Sequence, residues 1–201
     1  MRTQEINIYE FKELNKDAKL RAIEANRDIE IEYDWYAYTY ELFTEEAQVL
    51  GIKISDMWFS GFYSQGDGAC FEGSYEYSPT GLNASKENEV SNIINNGVIE
   101  RLYTLQSKYD NRVCCPISVL SSNYYHSKTM TLGDIEGVSH LADLEYITLE
   151  KELLLIFQDM ADCLHNRLES EHEYLTSDAV VSECLINNDI EFLGDGSVTT
   201  L

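Results

Sequence analysis

The sequence predicts an α+β fold: a small antiparallel sheet packed with helices and followed by a long acidic C-terminal helix. Three observations carry that expectation. Apolar residues recur at helical spacing up to Leu50, and then the period drops to two, in two aromatic and β-branched runs on either side of a glycine-bearing turn. A leucine-rich seam resumes helical spacing from Leu149 onward. Only two prolines, Pro79 and Pro116, occur in 201 residues, and no Gly/Ser or Pro-rich linker separates the parts. The reading is therefore one α+β domain over 1–201, with a helix and sheet part at 1–133 and an acidic helical part at 134–201.

Taken in order, Asn15 is placed to cap a helix over 16–27, with Asp17 in its first turn, where the helix dipole favours negative charge. From Tyr33 to Leu50 the residues Trp35, Tyr38, Leu42, Ala47 and Leu50 recur at helical spacing, and Gly51 stands where a left-handed C-cap is wanted. Residues 52–63 and 69–77 read as strands around Ser64-Gln65-Gly66-Asp67-Gly68, a turn expected to need positive φ at Gly66 or Gly68. Residues 86–110 look helical with a break at Asn95-Asn96-Gly97, and 112–121 with 124–132 supply a second pair of strands. Leu149, Leu153, Ile156, Met160, Leu164, Leu168 and Leu175 then trace one apolar seam, so a continuous helix is expected over 148–175. Thr176 or Ser177 caps a shorter helix at 178–187, and Ile190 to Leu193 adds an edge strand.

Charge bounds the function. The chain carries 14 Lys+Arg against 36 Asp+Glu, a net charge of −22, so it lacks the basic patch that binding to nucleic acid or anionic membrane requires. Basic grooves on other proteins become the favoured partners. The last third is the most biased: residues 134–201 hold 16 acidic and 2 basic side chains, or −14 of the −22. Hydrophobic content of 44% is enough for a real core. No apolar h-region follows Met1, and the longest apolar run, Leu153 to Phe157, is far short of the roughly 20 residues that span a bilayer, so a cytoplasmic location is expected. Asn83-Ala84-Ser85 then counts as a chance sequon. Cys70, Cys114, Cys115, Cys163 and Cys184 are odd in number and contain no C-x-x-C pair, which predicts buried thiols and no zinc or disulfide framework.

Five constellations bear on chemistry or binding. The loop Ser64 to Gly68 has the glycines of a phosphate cradle, with Asp67 as metal ligand or base, but strand-like runs flank it and no basic residue lies between Lys53 and Lys86. Ser60 or Ser64 with Asp67 and His126 are the residue types of a hydrolase triad, without a G-x-S-x-G elbow. Asp162, His165, Glu169 and His172 share a helix face, yet His165 and His172 stand about 10 Å apart along a straight helix, too far for one ion. Finally, 14 tyrosines exceed what a core requires, so a binding face is expected among them, with Tyr36, Tyr40 and Tyr63 as apolar anchors. Beside them, Glu152, Asp159, Asp162, Glu169 and Glu173 form an acidic ladder away from the leucine seam. Its closer members are about 5–6 Å apart along the axis, comparable with neighbouring phosphates on one nucleic-acid strand.

The segment Trp58-Phe59-Ser60-Gly61-Phe62-Tyr63-Ser64-Gln65-Gly66-Asp67-Gly68-Ala69-Cys70-Phe71-Glu72-Gly73 resembles a motif of a group of uncharacterised phage and prophage acidic proteins loosely labelled antitoxin-like. The run Glu171 to Ala179, followed by Asn187 to Phe192, is similar to the C-terminal block of that group, and Phe11 to Lys19 is similar to its opening helix. The resemblance implies a mobile-element protein acting inside a bacterium.

Together these readings predict a non-enzymatic inhibitor, of anti-defence, anti-CRISPR or anti-restriction type, that occupies a basic, nucleic-acid-binding groove of a host protein by acidic mimicry. It needs no cofactor. Glu152, Asp159, Asp162, Glu169 and Glu173 would supply charge, Tyr36, Tyr40 and Tyr63 the anchors, and Asp67 a further contact. An antitoxin neutralising a basic toxin belongs to the same physical class, and a small nucleotide-binding or hydrolytic enzyme using the Ser64 to Gly68 loop is the alternative. Exposed aromatics and a long leucine seam would also suit a homodimer.

Overall fold

In the computed structural model, which describes residues 6–77, 93–109, 113–120 and 125–199, the fold is α+β. The chain runs β1 (Tyr9–Glu10), a 3-10 turn (Phe11–Glu13), α1 (Lys16–Ala25), α2 (Ala37–Val49), β2 (Ile52–Phe59), β3 (Ala69–Glu76) and α3 (Asn96–Lys108). It continues through β4 (Cys114–Val119), a 3-10 turn (Ser127–Thr129), β5 (Met130–Leu132), α4 (Asp143–Leu175), α5 (Asp178–Asn187) and β6 (Glu191–Phe192). Two compact units result, one of residues 37–169 and one that joins the residues up to 36 with those from 170 onward. The charge boundary at 133/134 falls inside the larger unit.

The larger unit is built on an antiparallel sheet of order β2-β3-β4-β5. Pairing of Met57 with Phe71 and of Tyr75 with Cys115 sets the register, so that the period of two sends Phe71, Tyr75, Cys115 and Ile117 to one buried face. Helices cover that face. Phe43 of α2 meets Phe71 edge-on at 5.7 Å, Phe157 of α4 meets Tyr75 at 5.4 Å, and Gln106 of α3 donates from Nε2 to the Tyr75 hydroxyl at 2.5 Å. Burial pushes the Tyr75 phenol well above its ordinary range, so it stays a neutral partner for that amide. On the opposite face Lys53, Asp56, Pro116 and Ser118 are exposed. Gly73 stands opposite a bulge in β2 between Ile54 and Asp56, where a Cβ would lie 2.1 Å from the Lys53 carbonyl oxygen; only glycine fits.

α2 begins at Ala37, later than the spacing predicts, and its buried face is Thr39, Phe43 and Ala47, continued by Leu50. Tyr38, expected on that face, is exposed, because the i, i+4 row through Phe43 is the one that meets the sheet. Gly51 takes φ of 87°, the left-handed stop expected of it. The Asn95-Asn96-Gly97 step proves to be a helix start: the Asn95 side chain accepts the Val98 N–H at 3.0 Å and opens α3. Residues 86–92, expected as helix, lie outside the described residues, as does the Asn83 sequon. Just before the cap, the Glu46 carboxylate of α2 accepts the N–H groups of Ile93 and Ile94, both at 2.9 Å. Burial raises the Glu46 pKa and those two hydrogen bonds oppose the rise.

β5 is shorter than the expected 124–132. His126 accepts the Lys128 N–H at its Nδ1, and the Thr129 hydroxyl donates to the His126 carbonyl, which winds 127–129 into a 3-10 turn before the ladder begins. α4 starts at Asp143, ahead of the apolar seam, and Glu145 accepts the Ala142 N–H there. Leu149, Leu153, Ile156, Phe157, Met160, Ala161, Leu164 and Leu168 form its buried face. Cys70 and Cys115 are free and fully buried, and burial pushes their thiols up to about 11 and about 12.

The smaller unit has its own core of Phe11, Leu14, Ala18, Ala22, Ile23, Val181, Leu185 and Phe192, with Phe11 edge-on to Phe192 at 6.1 Å. Asn15 caps α1 and Ser177 caps α5, each accepting the N–H three residues on, as the sequence predicts. β6 pairs with β1 through Tyr9 and Phe192, which turns the expected edge strand into a tie between the two ends of the described chain. Arg27, two residues past the end of α1, donates to the Thr176 carbonyl at 2.8 Å and to Asp178 at 3.0 Å, tying the end of α1 to the start of α5.

Candidate partner-binding face

The β2–β3 hairpin tip is tied down by its own polar groups. Asp67 Oδ2 accepts the N–H groups of Tyr63 at 2.9 Å and Ser64 at 2.7 Å, while the Asp67 N–H donates to the Ser64 carbonyl at 3.0 Å. Ser60 accepts the Gly68 N–H at its Oγ, 3.1 Å, and donates that hydroxyl to the Tyr125 carbonyl at 3.2 Å. Positive φ plays no part in this turn: the glycines that adopt it among the described residues are Gly51, Gly137 and Gly196, not Gly66 or Gly68. The requirement at Gly68 is close approach, since a Cβ there would lie 3.0–3.1 Å from the His126 ring and Cα. The tip so held presents Tyr63 with 78% of its surface exposed.

Behind the tip a row of rings leads to α4. Tyr40 is edge-on to Phe59 at 6.4 Å, Phe59 stacks on Phe62 at 5.7 Å, and Phe62 meets the His165 ring at 5.3 Å. His165 Nε2 lies 3.1 Å from the Gly61 carbonyl oxygen. A carbonyl only accepts, so Nε2 carries the proton, and the hairpin is pinned to the helix at that point. Trp58, on the other side of β2, stacks on Tyr125 at 5.8 Å.

The acidic ladder divides into two stripes. At about 100° per residue, Glu152 and Asp159 share one line along α4 while Asp162 and Glu169 share another, about 60–80° further round. Asp159 pairs with Arg101 of α3, and Glu152 joins Arg101, Lys108 and Leu155 in lining a groove of about 340 Å³ between the two helices. Arg101 to Lys108 repeats the seven-residue step of Glu152 to Asp159 in antiparallel sense, so that Arg101 pairs with Asp159 while Lys108 shares the groove with Glu152. Lys108 feels Glu152, although its nearest influence is the Tyr109 hydroxyl, which raises its pKa first. Asp162 and Glu169 flank His165 by three and four residues, and neither has a hydrogen-bond or ion-pair partner among the described residues. Glu173 is exposed on the part of α4 that belongs to the smaller unit; Tyr36, also there, donates to Asp34 at 3.3 Å and lies edge-on to Trp35.

The other constellations do not assemble. Ser60 Oγ and Asp67 Oδ2 bond backbone groups, His126 Nδ1 accepts the Lys128 N–H, and Ser60, Ser64, Asp67 and His126 make no side-chain to side-chain hydrogen bond to one another among the described residues, so no nucleophile–base–acid relay forms from them. No cluster of metal-ligating side chains occurs among the described residues, and His165 and His172 contact separate aromatic rings, Phe62 and Trp35. Two features escaped the sequence reading: the His165–Phe62–Gly61 junction, which joins residues a hundred positions apart and has no local signal, and the Arg101/Lys108 pairing, whose matching seven-residue spacing was legible.

The architecture is that of an α+β protein with helices on one face of an antiparallel sheet. The chain belongs to the family described as a domain of unknown function, DUF8835, which matches residues 35–178 and so takes in the hairpin and all of α4. No curated protein and no solved structure matches the chain. No helix among the described residues is long and apolar enough to cross a membrane.

Proposed function

We propose that this is a non-enzymatic phage or prophage inhibitor that works in the bacterial cytosol by docking on a basic, nucleic-acid-binding surface of a host protein. The observation that carries the reading is the Asp162/Glu169 stripe, without hydrogen-bond or ion-pair partners among the described residues, on the helix to which His165 pins the hairpin whose tied-down tip exposes Tyr63. A tyrosine fixed in place loses little entropy on burial in an interface, and carboxylates without internal partners keep their field for a partner. The net charge of −22 adds long-range attraction to any basic groove. Glu152 and Asp159, facing cations of α3, contribute less than the sequence spacing suggests. Engagement of Asp67 by Tyr63 and Ser64 gives it the role of holding the anchor and disfavours the enzymatic alternative. The test is affinity capture from bacterial lysate with the parent and with Asp162→Lys/Glu169→Lys as baits, followed by competition between this protein and nucleic acid for the captured partner. A basic partner held at low salt, lost by the variant and displaced by nucleic acid supports the reading. A partner retained equally by the variant, or one that binds nucleic acid and this protein together, overturns it.

A further inference from the structure

We infer that a second copy of this chain docks on the groove between α3 and α4, about a two-fold axis that runs along it; the inference goes beyond the proposed function and does not rest on it. The groove, of about 340 Å³, has walls built on one plan. Arg101, Thr104, Leu105 and Lys108 on α3, and Glu152, Leu155, Ile156 and Asp159 on α4, each follow the i, i+3, i+4, i+7 spacing of one helix face, with charges at the ends and the apolar residues between. Leu105 and Ile156 are buried and form the floor, while Leu155 stands at the rim with 52% of its surface exposed. The α3 wall is positive and the α4 wall negative. A surface divided in that way fits a copy of itself, and the charges choose the axis. Rotation along the groove lays α3 of each copy on α4 of the other, positive on negative; rotation across the groove would set like on like. The helices run antiparallel, with Arg101 beside Asp159 and Lys108 level with Glu152, so this rotation also keeps the residues in step. Lys108 then meets the partner's Glu152, Arg101 meets the partner's Asp159, and Leu155 enters the opposing groove against the partner's Leu105, each contact made twice. Leucine burial supplies the attraction and the charges fix the register. A chain of −22 repels itself at long range, so self-association needs its least negative face. Of the Lys and Arg described in the larger unit, Lys53, Arg101, Lys108, Lys128, Lys151 and Arg167, three lie here: Arg101 and Lys108 in the wall and Lys151 one turn before Leu155. A patch of this size gives a weak dimer, with a Kd of about 10–100 µM.

The experiment is sedimentation velocity of the full chain at about 0.15 M salt, from about 5 µM to about 1 mM. The parent is expected to pass from monomer to dimer over that range. Leu155→Glu sits at an exposed position, so circular dichroism should show an intact fold, yet dimerisation should weaken at least about tenfold because a carboxylate replaces the leucine that enters the apolar groove. Lys108→Glu and Glu152→Lys should each weaken it by about the same factor, since either one sets like charges together twice. The double variant Lys108→Glu/Glu152→Lys restores opposite charges and should return to within about threefold of the parent. Lys53→Glu makes the same charge change at an exposed position of β2 and should also stay within about threefold of the parent. A chain still monomeric at about 1 mM, a dimer indifferent to Leu155→Glu, or a double variant no tighter than the single ones overturns the inference. So does a loss from Lys53→Glu equal to that from Lys108→Glu, which would make net charge alone the cause.

Discussion

Leu164→Ala measures whether the seam of α4 is the core that the fold requires. Leu164 is fully buried in the middle of the helix, between Ala161 and Leu168 on the face that packs toward the sheet. Truncation removes the equivalent of three methylene groups, about 2.4 kcal/mol at about 0.8 kcal/mol each. A residual void of about 50 Å³ adds about 1 kcal/mol at ~24 cal/mol per Å³, giving a loss near 3–4 kcal/mol. Leu155 on the same helix is 52% exposed, so Leu155→Ala makes the same chemical change with an expected cost below about 1 kcal/mol. Urea unfolding followed by circular dichroism compares the two, with the midpoint read at constant slope. Equal destabilisation by both variants, or an unchanged midpoint for Leu164→Ala, would refute the placement of the seam.

The remaining expectations concern other parts of the structure. Gly68→Ala should lose about 1–3 kcal/mol by crowding His126, while Gly66→Ala, in open space with ordinary φ, should be neutral or slightly stabilising; thermal unfolding separates them. Glu46→Ala strands the N–H groups of Ile93 and Ile94 and should cost about 1–3 kcal/mol, with faster amide exchange at the start of α3 as the local readout. Cys70 and Cys115 have folded pKa values above the ordinary thiol value of 9.0, so the stability they contribute is complete below pH 9 and lost as pH rises toward about 11 and about 12. An unfolding free energy measured from pH 8 to 11 should fall, and Cys115→Val should reduce the slope; a flat profile contradicts their burial.

Local signals in the sequence were faithfully expressed where one residue decides one geometry. Asn15 and Ser177 as caps, Gly51 as a left-handed stop and the period-two runs around the hairpin all act within a few residues, and all appear in the structure. Features that depend on distant packing were less legible. Tyr38 with Leu42 and Thr39 with Phe43 and Ala47 form neighbouring i, i+4 rows about 100° apart on α2, so only the position of Phe71 decides which row faces inward. Gly68 looked like a φ requirement because glycine in a turn commonly is one, and the His126 backbone that crowds it comes from far along the chain. The acidic ladder was readable as charge, but its division into a compensated and an uncompensated stripe needed α3 beside α4. Union of the first and last segments in one unit rests on the β1–β6 pairing and on a core that sets Phe11, Leu14, Ala18, Ala22 and Ile23 against Val181, Leu185 and Phe192, contacts between residues far apart in the chain that no local pattern announces.

The most direct test of the docking face is the kinetics of binding to the captured basic partner by surface plasmon resonance, from low to high salt. Over 0.1–1 M salt the Debye length shrinks from about 10 Å to about 3 Å, so the parent's association rate should fall steeply. Asp162→Lys/Glu169→Lys should slow association far more than Glu152→Lys/Asp159→Lys, and Tyr63→Ala should chiefly speed dissociation. Association that ignores salt, or that both charge-reversed stripes slow equally, would contradict a docking face centred on Tyr63, Asp162 and Glu169.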